Sequence, residues 1–216
     1  MDWSSPVSAV VPGLEGPVLR ALWARGDELT GRQVHRVAHA GTPEGVRRAL
    51  GRLVQQGVVV RRTVGPASYY RVNRDHLCWP AVEALFDALH PWRELRRRVD
   101  DLLHEVVSDD GLRRETGVAV VGSAARGDGT ADDDVDLLVL VPDGMPAWLV
   151  HELADRLRSD TQWWSGNETD VHVRTAAELA AARTTPGALD TWARDAEQVT
   201  GALVHEHLPY VVLPDY

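Results

Sequence analysis

This 216-residue chain has no lysine; all 23 of its basic residues are arginine. The absence is read as codon bias of a GC-rich genome more than as a functional choice. Cysteine is nearly missing too. A lone Cys78 excludes an intramolecular disulfide, and a reducing cytosol is the simple setting for such a chain. The opening Met1-Asp2-Trp3-Ser4-Ser5-Pro6 has neither a basic flank nor an apolar run, so no signal peptide is expected. No uninterrupted 18-residue apolar stretch is present to span a membrane, and the expected location is cytoplasmic. What is there, 44% hydrophobic and 25% charged, is an ordinary globular composition with room for one large or two small cores.

The net charge of −9 conceals a gradient. Residues 1–75 carry 11 Arg against 6 acids, residues 76–98 carry 4 against 3, and residues 99–216 carry 8 against 23. One end attracts a polyanion and the other repels it unless cations intervene, which implies separate modules. We expect a basic module over 1–75, a helical connector over 76–110 and an acidic module over 111–216.

In the basic module, Val18, Leu19, Leu22 and Trp23 recur at helical spacing and Gly26 can end that helix. Thr30 suits the N-cap of a second helix with Val34, Val37 and Ala38. Thr42-Pro43-Glu44 suits the start of a third, carrying Val46, Leu50, Leu53 and Val54 inward. Val58 to Thr63, a Gly65-Pro66 turn and Ser68 to Val72 predict a strand hairpin. Three helices followed by a hairpin resembles a winged helix-turn-helix domain over about 60 residues. That resemblance implies binding of double-stranded DNA. Arg47, Arg48 and Arg52 lie off the apolar stripe of the third helix, where a recognition helix meets base edges and phosphates, while Arg61, Arg62 and Arg71 suit a wing on the backbone. An arginine-rich solvated surface, or a winged helix that docks protein, is the competing reading. His35 and His39, four apart on the second helix, lack a third ligand nearby, so no metal site is read there. His205-Glu206-His207 is treated the same way.

The connector predicts helices over Asp75–Leu89 and Trp92–Val107, interrupted at Pro80 and Pro91. Their apolar faces suit either packing on the acidic module or a homodimer seam, the latter slightly favoured because winged-helix DNA readers commonly pair on palindromic sites. Arg96-Arg97-Arg98 is read as a solvated face.

The acidic module holds the most informative pattern. The apolar strand Gly117 to Val121 is followed by Gly122-Ser123, then Ala124-Ala125-Arg126. Ten residues after the serine, Asp134-Val135-Asp136 opens another apolar run. Free backbone N–H groups at the Gly-Ser turn, with the Ser123 hydroxyl, suit a phosphate, and glycine lets it approach closely. Asp134 and Asp136, two apart on a strand, share one face, with Val135, Leu137 and Val139 on the other. Carboxylates that close call for a divalent cation between them. In Thr169-Asp170-Val171-His172-Val173-Arg174, Asp170 and His172 face one way and Val171 and Val173 the other. If this strand lies beside the first, three carboxylates converge, an arrangement suited to two Mg2+ ions about 3.5–4 Å apart and to phosphoryl-type displacement. Arg126 could neutralise further charge. A solvated acidic loop is the competing reading, and it fits poorly for Asp136, which is embedded in Val-Asp-Leu-Leu-Val-Leu-Val.

Gly-Ser, ten residues, Asp-Val-Asp and a later Asp on an apolar strand resemble the nucleotidyltransferase fold of the DNA polymerase β superfamily. The closest subgroup is the minimal nucleotidyltransferases related to kanamycin nucleotidyltransferase, and the resemblance covers roughly residues 111–205. It implies an α/β (α+β) chain with a small mixed sheet flanked by helices, an NTP such as ATP as substrate, and Mg2+ in a two-metal site. It further implies that Gly122 and Ser123 hold the β- and γ-phosphates, that Asp134 and Asp136 ligate both metals, and that Asp170 completes the metal that activates the acceptor hydroxyl or takes its proton. Two departures stand out. Asp133 replaces a frequent serine, and Glu168 competes with Asp170 as third acid; Asp170 is chosen because Val171 and Val173 flank it within the strand.

Helices are expected over Ala147–Leu157, Glu178–Arg183 and Leu189–Val199, with Trp163-Trp164 as an aromatic pair before the strand of the third acid. The expected activity is transfer of an NMP from an NTP to a hydroxyl, with release of pyrophosphate. The length leaves no room for the extra domains of a template-directed polymerase or a tRNA-tailing enzyme, so the expected acceptor is a protein or a small molecule. Several minimal nucleotidyltransferases act as antitoxins by nucleotidylating a partner toxin, which puts a protein acceptor first. The rivals are a transcription regulator that only senses nucleotide and an antibiotic-modifying enzyme, which would leave the winged helix without a role.

Overall fold

The computed structural model describes residues 1–182 and 188–208. The chain divides into two compact units, Ser5–His90 and, separately, Met1–Ser4 with the chain from Pro91 onward.

In the Ser5–His90 unit, α1 (Glu15–Arg25) buries Val18 and Leu22 and ends at Gly26. A two-residue strand, β1 (Leu29–Thr30), leads directly into α2 (Gly31–Ala38). Thr30 and Gln33 close a reciprocal capping box there: the Thr30 hydroxyl accepts from the Gln33 N–H, and Gln33 Oε1 accepts from the Thr30 N–H at 2.8 Å. Thr42 caps α3 (Pro43–Gln55) in the same manner, accepting from the Gly45 N–H at 3.1 Å. The hairpin β2 (Val59–Val64) and β3 (Ala67–Val72) is antiparallel, and β1 pairs with the other side of β3. A two-residue strand carries no periodicity, so β1 left no trace in the sequence. α4 (Trp79–Ala88) begins later than the expected Asp75, because Pro80 is suited to a first turn and residues before it are not held in a helix. Val18, Leu22, Val34, Val46, Leu50, Val59, Trp79 and Phe86 form one core.

The other unit starts with α5 (Pro91–Val106) and the short α6 (Asp110–Glu115). β4 (Gly117–Val121) runs into α7 (Gly122–Arg126), followed by β5 (Val135–Val141), α8 (Ala147–Ser165) and β6 (Thr169–Thr175). Then come α9 (Ala176–Ala182), α10 (Ala188–Asp195) and β7 (Glu197–Gly201). The sheet order is β6-β5-β4-β7; only the β5–β6 pair is parallel, joined through α8. This is the mixed α+β architecture with a small sheet flanked by helices.

Both faces of β4 and β5 are covered. Val118, Val120, Val135, Leu137 and Val139 pack with Val99 and Leu103 of α5 and Leu153 and Leu157 of α8. Ala119, Val121, Leu138 and Leu140 pack with Leu179, Leu189, Val204 and Leu208. Double burial explains why β5 reads as a continuous apolar run instead of an alternation. Asp136 is the single charged residue inside it.

Two sequence expectations are corrected here. The helix expected over Leu189–Val199 stops at Asp195, and Glu197–Gly201 is strand β7, because Val199 and Thr200 are β-branched and β4 offers an open edge to pair with. The helix expected over Ala147–Leu157 runs on to Ser165, ending where Gly166 takes a φ of 76°, so Trp163 and Trp164, before β6 as expected, lie in its last turn. Trp164 packs against the core, under Arg98, and Trp163 is exposed.

Gly201, with a φ of 73°, brings its Cα so close to the Thr116 carbonyl that a Cβ would collide with backbone. Gly201→Ala is expected to cost about 2 kcal/mol or more, from left-handed strain plus overpacking, seen as a lower thermal midpoint. Parent-like stability would mean that β7 does not sit against β4 in this register.

Candidate active site

β4 delivers the chain to Gly122, whose φ of 73° turns it into α7. A Cβ on Gly122 would stand 2.8 Å from Asp136 Oδ2, so glycine is required both for the backbone conformation and for the carboxylate beside it. No side chain caps the start of α7. The Ser123 carbonyl accepts from the N–H groups of Asp128 at 3.1 Å and Gly129 at 3.0 Å, which folds the following loop back onto the turn.

The register of the parallel pair places Asp136 directly beside Asp170, with Val135 beside Thr169. Residues paired in this way share a face, so the two carboxylates flank one spot at the mouth of the sheet. Asp136 is half-buried and Asp170 exposed. Asp134 lies one residue before β5 and is exposed, as is Glu168 before β6. Among the described residues, no three His, Cys, Asp or Glu side chains are gathered as a metal-binding group. The close convergence expected of three acids is thus found as the pair Asp136 and Asp170. Asp134 stands outside the strand ladder, and like charges spread toward water.

His172 joins that pair. Its Nε2 lies 3.3 Å from Asp136 Oδ1, and its ring sits 5.0 Å from the ring of Trp192 on α10. Arg126, at the end of α7, donates from Nη1 to Asp195 Oδ2 at 2.6 Å and from Nε to Asp128 at 3.3 Å. Those bonds, the one to Asp195 foremost, push the guanidinium pKa further up.

The loop between α7 and β5 is held from several sides. Asp133 Oδ2 accepts from the Thr130 N–H at 2.7 Å and from its hydroxyl at 2.8 Å, which lowers the Asp133 pKa. Asp133 therefore serves the loop and not the acid pair. Its stabilisation is present above the ordinary aspartate range and is lost as pH falls through the depressed value. Buried Asn167 donates to the carbonyls of Thr130, Ala131 and Asp133. The N–H groups of Trp3 and Ser4 both donate to the Gly129 carbonyl.

In the Ser5–His90 unit, Arg47 pairs with Glu44, Arg52 with Glu15 and Arg62 with Glu28, all at the surface. Arg48 and Arg61 make no ion pair among the described residues and are exposed. Arg47, Arg61, Ser68 and Tyr70 line a hollow between α3 and the hairpin. His35 is bonded to the Gly41 carbonyl at 3.2 Å.

Residues 99–192 match the family model described as a nucleotidyltransferase domain. The match covers less than half of the chain. The match supports nucleotidyltransferase activity and transfer of an NMP in general. No curated protein matches the chain. Among solved structures, a toxin–antitoxin with AMP-PNP is 15% identical, covering 50% of this chain and 77% of its own, with a TM-score of 0.31. Two mutant forms of the toxin–antitoxin MntA-HpeT are 14% and 18% identical, cover 52% and 51% of this chain and 76% and 75% of theirs, and have TM-scores of 0.32. Among the described residues, no helix is long and apolar enough to cross a membrane.

The donors at the mouth of this sheet are carboxylate oxygens, the kind a hard divalent cation takes. Mg2+ is commonly held by one or two carboxylates and completed by water and substrate phosphates, and Asp136 and Asp170 are the register-paired acids that could hold it. Gly122 leaves open the space that a Cβ would otherwise take from the Asp136 carboxylate. Sequence reasoning missed His172, Trp192, Asp195 and Asn167 as parts of the site. Strand phase offered a signal for His172, which shares a face with Asp170. Nothing local marks the other three, whose partners lie as far as 69 residues upstream.

Gly122→Ala should cost about 1–2 kcal/mol from left-handed strain and, by pushing Asp136 aside, lower nucleotidyl transfer on the order of 100-fold. Turnover close to that of the parent, measured with labelled NTP, would remove Gly122 from the site.

Proposed function

We propose that the nucleotidyltransferase domain moves an NMP from ATP or another NTP to a hydroxyl of a protein or small-molecule acceptor. We further propose that the Ser5–His90 unit is a winged helix bound to double-stranded DNA. The observation that carries the first reading is Asp136. It is the one charge in a doubly covered strand, in register with Asp170 and facing the gap left by Gly122. A half-buried carboxylate held there costs stability unless it has a task or a counter-charge.

In this reading the Gly122-Ser123 turn presents its uncapped N–H groups and the Ser123 hydroxyl to the β- and γ-phosphates. Arg126 adds positive charge at the same end. Asp136 and Asp170, with Asp134 at the approach, would hold Mg2+, which would supply neutralisation of phosphate charge and ease deprotonation of the acceptor hydroxyl. Asp170, the more exposed acid, is placed to take the acceptor proton. The acceptor oxygen then bonds to the α-phosphorus as the bond to pyrophosphate breaks. Positioning and charge neutralisation account for most of the catalysis in such a step.

For DNA, Arg48 and Arg61 offer guanidinium groups that make no ion pair among the described residues. Arg47, Arg52 and Arg62 stay available as well, because exposed ion pairs are worth only about 0–1 kcal/mol and a phosphate can displace the carboxylate. A protein acceptor encoded beside this chain, as in an antitoxin-like role, suits a DNA-linked enzyme.

Incubation with Mg2+ and α-labelled ATP, with and without co-expressed neighbouring gene products, tests the enzyme. Label should appear on one acceptor, and Asp136→Asn should lower it on the order of 1000-fold or more while leaving DNA binding intact. Equal labelling by Asp136→Asn would refute the site. For DNA, Arg48→Ala with Arg61→Ala should weaken binding and reduce the log–log salt slope by about 1 per residue. An unchanged slope would place the DNA surface elsewhere.

A further inference from the structure

α10 touches the nucleotidyltransferase site at two points, one turn apart on a single helix. At its C-terminal end the Asp195 carboxylate, only 5% exposed, accepts a hydrogen bond from Arg126 Nη1 at 2.6 Å. One turn earlier Trp192 packs against the His172 ring at 5.0 Å, and His172 in turn rests on Asp136 at 3.3 Å. The Arg174 guanidinium lies 6.0 Å over the same indole. Leu189, on the same helix, anchors it in the core that also holds Leu138 and Leu140 of β5. One helix therefore reaches both the arginine beside the Gly-Ser turn and the imidazole beside the acid pair.

We propose that α10 is a brace for this site, with Asp195 a positioning residue for Arg126 and Trp192 a positioning residue for His172 and, through it, Asp136. The proposal rests on the nucleotidyltransferase reading above. A free arginine samples many rotamers, and that entropy opposes binding unless it is removed beforehand. Here Asp195 holds Nη1 and Asp128 holds Nε, so the guanidinium plane is fixed from two directions while Nη2 keeps its donors for a phosphate oxygen. Burial makes Asp195 the stronger of the two holds, because a carboxylate with little water around it keeps its one cationic partner. At the other contact, the indole limits where the His172 ring can sit. The imidazole in turn limits the orientation of the Asp136 carboxylate, with Oδ1 toward His172 and Oδ2 toward Gly122. Holding reactive groups in place ahead of substrate lowers the barrier without touching the reacting atoms.

The two arms predict different kinetics. Losing the Asp195 hold on a phosphate-binding arginine should weaken NTP binding, while losing the Trp192 hold on an acid of the reacting centre should slow turnover. The test uses the full chain, with binding of a non-hydrolysable ATP analogue in Mg2+ as one readout and labelled-ATP turnover as the other. Asp195→Asn, close in shape but uncharged, should weaken analogue binding on the order of tenfold or more, the scale of a lost charge-assisted hydrogen bond. Arg126→Ala combined with Asp195→Asn should be no worse than Arg126→Ala alone, because both changes remove one interaction. Trp192→Ala should lower kcat on the order of tenfold or more with little change in analogue binding, and Trp192→Phe should restore most of it.

Additive losses in the Arg126 and Asp195 pair would overturn that arm, since a merely structural Asp195 would act independently of Arg126. Equal losses of kcat in Trp192→Ala and Trp192→Phe, or a loss matched by a lower melting temperature in both, would overturn the other. If the parent chain binds no analogue at all, the nucleotidyltransferase reading itself fails and the brace fails with it. Parent-like binding in Asp195→Asn, beside clear binding by the parent, sinks the brace alone.

Discussion

The structure of the unit from Pro91 onward depends on a carboxylate being tolerated inside a strand that has protein on both faces. Asp136 sits in β5 among Val135, Leu137, Leu138 and Val139, each of them buried. It is tolerated because the surrounding chain makes a polar opening for it. Gly122 withdraws its side chain, the Asp136 carboxylate stays 34% exposed, and His172 offers an imidazole nitrogen, while the parallel register sets Asp170 alongside as a like charge that a cation would have to offset. Each of these is a backbone decision before it is a side-chain one: a glycine at positive φ, a parallel register, a strand phase of two.

The opening is supported from outside by contacts that carry no chemistry. Asn167 ties the carbonyls of Thr130, Ala131 and Asp133, so the loop that enters β5 arrives in a fixed position. Asp133 closes the same loop on Thr130. Within the acidic run Asp132 to Asp134, Asp133 thus shapes the loop, and the strand that follows sets the position of Asp136. The α10 contacts extend the same principle to the far side of the site.

Much of this was legible in the sequence, for reasons particular to each element. Thr30 and Thr42 marked their helices because an N-cap is a local event, read from three or four adjacent residues. The Gly-Ser turn and Asp-Val-Asp could be read because the spacing of a phosphate seat from a carboxylate strand is fixed by one loop. The phase of Asp170 and His172 against Val171 and Val173 followed from strand alternation alone. β7 was misread as helix because an edge strand is made by the neighbour it pairs with, and β4 lies some 80 residues earlier in the chain. Asp195, Trp192 and Asn167 escaped notice because each acts through a tertiary contact with no local signature. The ion pairs of Arg47, Arg52 and Arg62 were equally hidden, since two of their three acids, Glu15 and Glu28, lie 37 and 34 residues away.

The central claim is that Asp136 and Asp170 act as one ligand set. Titrating Mn2+, as a magnetic substitute for Mg2+, into the protein with a non-hydrolysable ATP analogue and following free Mn2+ by electron paramagnetic resonance measures that directly. Asp136→Asn and Asp170→Asn should each lose the tight site, and the double variant should lose no more than either single one. If Asp170→Asn binds Mn2+ as the parent does, the two acids are neighbours without being partners, and the account of the site is wrong.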